Sequence, residues 1–105
     1  MNKVCLIGNL VKAVEIRYTQ SGLGIARFTL AINREIKKQD GTYDTDYISC
    51  IAYGKQAETI SKYLEKGSKI SVEGHIQTGS YEKDGKKVYT TDVVVEKIQF
   101  LDSKK

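Results

Sequence analysis

Hydrophobic and polar residues alternate along most of this chain, and the period changes once. Between Gly24 and Lys37, Ala26, Phe28, Leu30 and Ile32 fall on one face, while Arg27, Thr29, Ala31 and Asn33 fall on the other. A period of two over this length predicts a half-buried strand. The same pattern returns from Tyr43 to Tyr53, with Ile48, Cys50 and Ala52 on one face and Tyr47, Ser49, Ile51 and Tyr53 opposite. It returns again from Lys69 to Tyr81, where Ile70, Val72 and Ile76 alternate with Ser71, Glu73, His75, Gln77 and Tyr81. From Lys55 to Lys66 the spacing becomes helical, because Ala57, Ile60 and Leu64 form one apolar stripe. Lys66 is expected in the last turn of that helix and Gly67 at its stop.

The ends of the chain complete the set. Val4 to Leu10 reads as a first strand that can run on to Val14, followed by a polar turn through Thr19-Gln20-Ser21-Gly22. Val88 to Leu101 reads as a last strand, and its unbroken run Val93-Val94-Val95 predicts burial on both sides or a bulge. Asp40-Gly41 and Asp84-Gly85 are hairpin signals. Three strands, a helix and two strands match an all-β OB-fold, a five-stranded Greek-key barrel with one helix between strands 3 and 4. Other small β domains share that order, so the pattern alone does not fix the topology.

At 105 residues the chain fits one domain, expected over 1–101 with a short flexible end at 102–105. A small domain buries a low fraction of its surface, so association with further copies would add stability. No apolar run approaches the roughly 20 residues that span a bilayer, and no secretory signal precedes the first strand, so the expected location is the cytoplasm. Cys5 and Cys50 sit far apart in apolar segments and are expected to be reduced, packed thiols. A zinc site needs several closely spaced ligands, which His75, the single histidine, cannot supply. The common nucleophile, zinc-protease and phosphate-loop motifs are missing, and Gly22-x-Gly24 is a turn. Asp44 and Asp46 read as solvated edge charges. The sequence therefore predicts a protein that is not an enzyme and has no cofactor or metal.

The net charge of +4 is compatible with a polyanion but does not require one. The positions of the charges say more. Seven tyrosines stand beside two phenylalanines and no tryptophan. Tyr47 and Tyr53 share a strand face opposite the core residues, and Tyr81 precedes the basic hairpin 82–87. Unpaired bases stack on aromatic faces and cations hold the phosphates between them, so this combination suits sequence-tolerant binding of single strands. Arg34, Lys37, Lys38, Lys55, Lys83 and Lys86 are candidate cations. Each tyrosine taken singly also fits a core edge or a subunit interface, and each hairpin lysine a solvated tip.

Longer stretches resemble the bacterial-type single-stranded DNA-binding protein (SSB) family. They are Asn2-Lys3-Val4 through Ile7-Gly8-Asn9-Leu10, Glu15-Ile16-Arg17-Tyr18, Ala26 through Asn33, Tyr53-Gly54-Lys55-x-Ala57-Glu58, Tyr63-Leu64-x-Lys66-Gly67-Ser68, Val72-Glu73-Gly74-x-Ile76-x-Thr78 and Tyr89-Thr90-Thr91-x-Val93-Val94-Val95. The resemblance implies an OB-fold homotetramer that coats single-stranded DNA without reading its sequence, in replication, recombination and repair. It places stacking residues at Tyr47, Tyr53 and Tyr81, basic contacts at Lys55 and Lys66 and, less firmly, at Lys3 and Arg34, and dimer pairing at Lys3 to Ile7.

The chain also departs from the family. Tyrosine replaces the frequent tryptophan at Tyr47 and Tyr81, and Ile36 fills a position that is often an aromatic stacker. Gln77, Gly79 and Ser80 stand where basic residues are frequent. Relatives usually end in a linker and an acidic tip that recruits other proteins, whereas this sequence ends Asp102-Ser103-Lys104-Lys105. It is either trimmed or a short natural form, and tail-dependent recruitment is not expected of it. The alternative is a primosomal-type OB protein acting through protein contacts in replication restart; retention of the three tyrosines argues against it. A cold-shock RNA binder would need closely spaced aromatics on strands two and three, a pattern this chain lacks.

Overall fold

Each alternating segment becomes a strand whose apolar row faces one shared interior. The computed structural model describes residues 1–101; the expected flexible end at 102–105 lies outside the described residues. The elements are β1 (Val4–Leu10), β2 (Glu15–Tyr18), β3 (Gly24–Lys37), β4 (Tyr43–Tyr53), α1 (Gly54–Tyr63), β5 (Lys69–Lys83) and β6 (Lys86–Phe100). Strand order is β1-β5-β6-β4-β3-β2, and a further β1–β3 pairing closes the sheet. β4 and β6 run parallel where Cys50 meets Val93 and Ile51 meets Val94. With β1 and β2 taken as one interrupted strand, this is a closed five-stranded barrel with its helix after the third strand, the OB-fold.

The first strand differs from its sequence reading, because it breaks after Leu10 and resumes at Glu15. The break follows a change of partner. β1 pairs with β5 from Val4 to Asn9, whereas β2 pairs only with β3, Glu15 opposite Arg27 through Tyr18 opposite Gly24. The apolar rows of β3, β4, β5 and β6 fill the barrel with Ala26, Phe28, Leu30, Cys50, Ala52, Ile70, Val72, Val93 and Val95. Ala57, Ile60 and Leu64 of the α1 segment join that core.

The helix stops three residues earlier than the sequence predicts. Leu64 is extended at φ −95° and ψ 138° and still donates its N–H to Ile60, so its side chain turns into the core. Lys66 therefore lies in the following turn, which Ser68 closes onto Glu65 and Gly67 enters at φ +91°. The basic residue in the last helical turn is Lys62.

Both readings of the Val93–Val95 run hold. All three valines are buried, and the β5–β6 register slips between Glu73 and Gly74, which leaves Glu96 as the extra residue. A Cβ at Gly74 would stand 2.0 Å from the carbonyl oxygen of Val94, so only glycine fits. Beyond that bulge the ribbon leaves the barrel, and residues 77 to 87 are exposed. Ile76, expected inside, is 45% exposed for this reason. The ribbon turns at Asp84 (φ 53°) and Gly85 (φ 77°), the two left-handed residues of a type I′ turn. The other hairpin turns over a wider loop, with Lys38 bonded to Thr42 and Gly41 to Lys38.

Cys50 is buried, and burial pushes its thiol up to about 12, aided by the charge of Asp92. Cys5, also a free thiol, is exposed rather than packed, because it falls on the outward row of β1. No helix among the described residues is long and apolar enough to cross a membrane.

Candidate functional site

The outward faces of β3 and β4 form a ladder in which Ile25 lies opposite Tyr53, Arg27 opposite Ile51, Thr29 opposite Ser49 and Ala31 opposite Tyr47. The β5–β6 ribbon stands beside this ladder. Between them lies a groove of about 550 Å³ whose lining includes Arg27, Ile51, Tyr53, Tyr81 and Asp92. A second groove of about 350 Å³ carries Tyr47, Ile48 and Ile76 and shares Ser49 and Asp92 with the first. A third, of about 360 Å³, runs over Glu15, Arg17 and Ile25 and shares Arg27. The three are neighbours through these shared residues, and tyrosines line the first two.

All seven tyrosines are exposed, Tyr53 least at 39% and Tyr89 most at 76%. None belongs to the buried core. Tyr53 and Tyr81 come together in one groove from strands far apart in the chain, whereas Tyr47 stands in the neighbouring one. Ile36 is 84% exposed on the β3–β4 hairpin, an apolar side chain without a ring to stack.

The candidate cations divide into held and free. Arg34 donates to both oxygens of Asp46, the shortest bond being 3.0 Å, and lies 4.0 Å from Asp44. That bond raises the guanidinium pKa and holds the Asp46 carboxyl below its ordinary range. Lys3 lies 3.4 Å from Glu96 and 3.8 Å from Glu73, beside a 2.6 Å contact between Glu96 and His75 Nδ1. The hydrogen bond it accepts from His75, then that from Lys3, keeps the Glu96 carboxyl low. Lys55 is exposed in the first turn of α1, directly after Tyr53 and Gly54. Lys83 and Lys86 face each other at the ribbon tip, and neither is in an ion pair among the described residues. Lys55, Lys66, Lys83 and Lys86 line none of the three grooves.

Sequence reasoning missed Arg27, Arg17 and Asp92. Arg27 was legible as an outward residue of its strand, but the register that sets it beside Tyr53 was not. Asp92 was hidden because its strand partner, Gln77, belongs to the ribbon.

A barrel of this topology, with exposed tyrosines beside its grooves, defines an OB-fold protein. The sequence model of the Single-strand binding protein family matches residues 1–101, and the chain belongs to that family. It is 55% identical over 98% of its length to a single-stranded DNA-binding protein of Clostridium perfringens. It is 48% identical to single-stranded DNA-binding protein 3 of Listeria innocua and 48% identical to a single-stranded DNA-binding protein of Bacillus cereus, over 99% and 97% of its length. The chain spans 67%, 66% and 61% of the length of these three relatives. The family is one of non-enzymatic DNA-binding proteins, and the chain is not an enzyme.

Proposed function

We propose that this chain binds single-stranded DNA without reading its sequence. In this reading, bases stack on Tyr47, Tyr53 and Tyr81 while Lys55, Lys83 and Lys86 contact phosphates. The observation that carries the proposal is the convergence of Tyr53 and Tyr81 on one open groove, joined by shared residues to the groove of Tyr47. Every base has a π-face, so stacking of this kind accepts any sequence. Lys3 and Arg34 enter only by giving up their carboxylate partners, and Lys55, Lys66, Lys83 and Lys86 by meeting the strand where it continues past the grooves.

The role we propose, with the family membership as its support, is coating exposed strands in replication, recombination and repair, in the cytoplasm, as a homo-oligomer and in the fullest form a tetramer. Support for self-association lies on β1. From Val4 to Gly8 it has β5 as its only ladder partner among the described residues, and it exposes Cys5 and Ile7 outward. An open strand edge with apolar side chains is a template for pairing with another copy.

The test is titration of labelled oligo-dT by fluorescence anisotropy, with duplex DNA and single-stranded RNA as controls. Tyr53→Ala and Tyr81→Ala are each expected to cost about 1–3 kcal/mol in single-strand affinity. Folded variants that bind as tightly as wild type would leave the tyrosines without a stacking role.

A further inference from the structure

The groove between Tyr53 and Tyr81 poses an electrostatic problem. Its lining holds two charged side chains, Arg27 and Asp92. The ribbon wall supplies Gln77, Gly79 and Ser80, none of them cationic. A strand that stacks one base on Tyr53 and another on Tyr81 must carry a phosphate between them, and that phosphate meets a carboxylate within the groove. Asp92 is largely shielded, with 18% of its side chain exposed, whereas 60% of the Arg27 side chain is exposed. The guanidinium stands 3.9 Å from the Asp92 carboxylate, at the outer limit of an ion pair. Arg27 therefore screens the acid without being locked by it, unlike Arg34, which Asp46 holds in a fork.

We propose that Arg27 is the phosphate contact of the tyrosine groove and that Asp92 sets its strength by holding the guanidinium back. This rests on the single-strand binding reading above. Arg27 also lines the third groove with Arg17, so a strand leaving Tyr53 toward β2 passes the same guanidinium. The arginine fork can donate to phosphate oxygens while its stem stays against the sheet. Asp92 accepts only, so it repels phosphate and competes for the donor.

The two residues are expected to act in opposite directions. Arg27→Gln should weaken binding of labelled oligo-dT about tenfold, the effect of losing one charge-assisted hydrogen bond. It should also make the slope of log K against log salt shallower by about 0.7, one phosphate contact on a single strand. Asp92→Asn should tighten binding about threefold, by removing a like charge near the backbone. Arg27→Lys should recover most of the slope and only part of the affinity, since the charge returns without the fork.

Thermal melts of each variant accompany the titrations. A merely structural Arg27 would move the melting temperature and leave the salt slope alone. Wild-type binding with an unchanged slope in folded Arg27→Gln overturns this inference and leaves the proposed function standing. Weaker binding by Asp92→Asn overturns it as well, and that variant decides the question even if Arg27→Gln does not fold. A wild-type chain that binds no oligo-dT overturns both.

Discussion

Two hairpins project from the barrel with similar basic content, and they present it in opposite ways. The β3–β4 hairpin, residues 34–46, carries three basic and four acidic side chains. Two of its acids are in ion pairs with two of its bases: Asp46 takes the Arg34 fork, and Asp44 lies 3.4 Å from Lys38. The β5–β6 ribbon carries Lys83, Lys86 and Lys87 with Glu82 and Asp84. There no ion pair forms among the described residues, and Lys87 instead lies 5.9 Å from the ring centre of Tyr89. The difference teaches that a count of lysines and arginines says little about a binding surface. What matters is whether each cation is actually held in an ion pair, since Glu82 stands opposite Lys87 in register and no ion pair forms between them among the described residues. By that measure the ribbon is the cationic arm, and the β3–β4 hairpin is largely self-neutralised.

The most severe way to break the contrast is to remove the root of the ribbon. Gly74→Ala would drive a methyl group against the Val94 carbonyl, backbone against backbone with no flexible side chain to yield. We expect a loss of about 3 kcal/mol or more in unfolding free energy, at the upper end for overpacking. Urea melts of variant and wild type measure it. A loss below about 1 kcal/mol would mean the bulge relaxes freely, and that the ribbon's departure from the barrel is set elsewhere.

Neutralising the arm itself is the next largest step. Lys83→Gln and Lys86→Gln together should make the single-strand salt slope shallower by about 1.4, from two contacts of about 0.7 each. Arg34→Gln, on the other hairpin, should change it by far less, because that charge is already spent on Asp46. Equal effects from the two hairpins would erase the distinction drawn from their ion pairs.

Much of this molecule was legible in its sequence. Period-two alternation is a local property, and it located β3, β4 and β5 and most of their inward rows, whereas β6 was read from its unbroken run Val93-Val94-Val95. The Asp84-Gly85 turn was legible because only such a pair tolerates two left-handed residues in succession. The failures share one physical origin, dependence on a distant partner. Leu64 leaves the helix because the core takes its side chain. Ile76 is exposed because the barrel ends beneath it. Cys5 faces outward because β1 pairs with β5 in one particular register. The candidate site divides in the same way. Tyr47, Tyr53 and Tyr81 were visible as outward aromatics, but Arg27 and Asp92 acquire meaning only when β3, β4 and β6 are laid side by side. Similarly, Arg34 reads as a free cation until Asp46 is placed across from it.

The smallest effect tests that last point directly. Asp46→Asn should release Arg34 and make the salt slope steeper by about 0.7 if the freed guanidinium finds a phosphate. Acid should do the same reversibly, and the direction follows from the carboxyl. Its hydrogen bond to Arg34 holds Asp46 below the ordinary value of 3.8, so the folded state favours the charged form. The pair is therefore fully present above pH 3.8 and is lost as pH falls through the depressed value. Both partners are exposed, so the melting temperature should hardly register the loss. The readout is the Arg34 Nε–H resonance followed by NMR from pH 6 down to about 2, with Asp46→Asn as the open reference. A midpoint below 3.8 that moves the resonance toward the Asp46→Asn position identifies the fork as the reason Arg34 is withheld. A resonance that already matches Asp46→Asn at pH 6 would show the fork open in solution. Arg34 would then join Lys83 and Lys86 as an available cation, and the two hairpins would be alike.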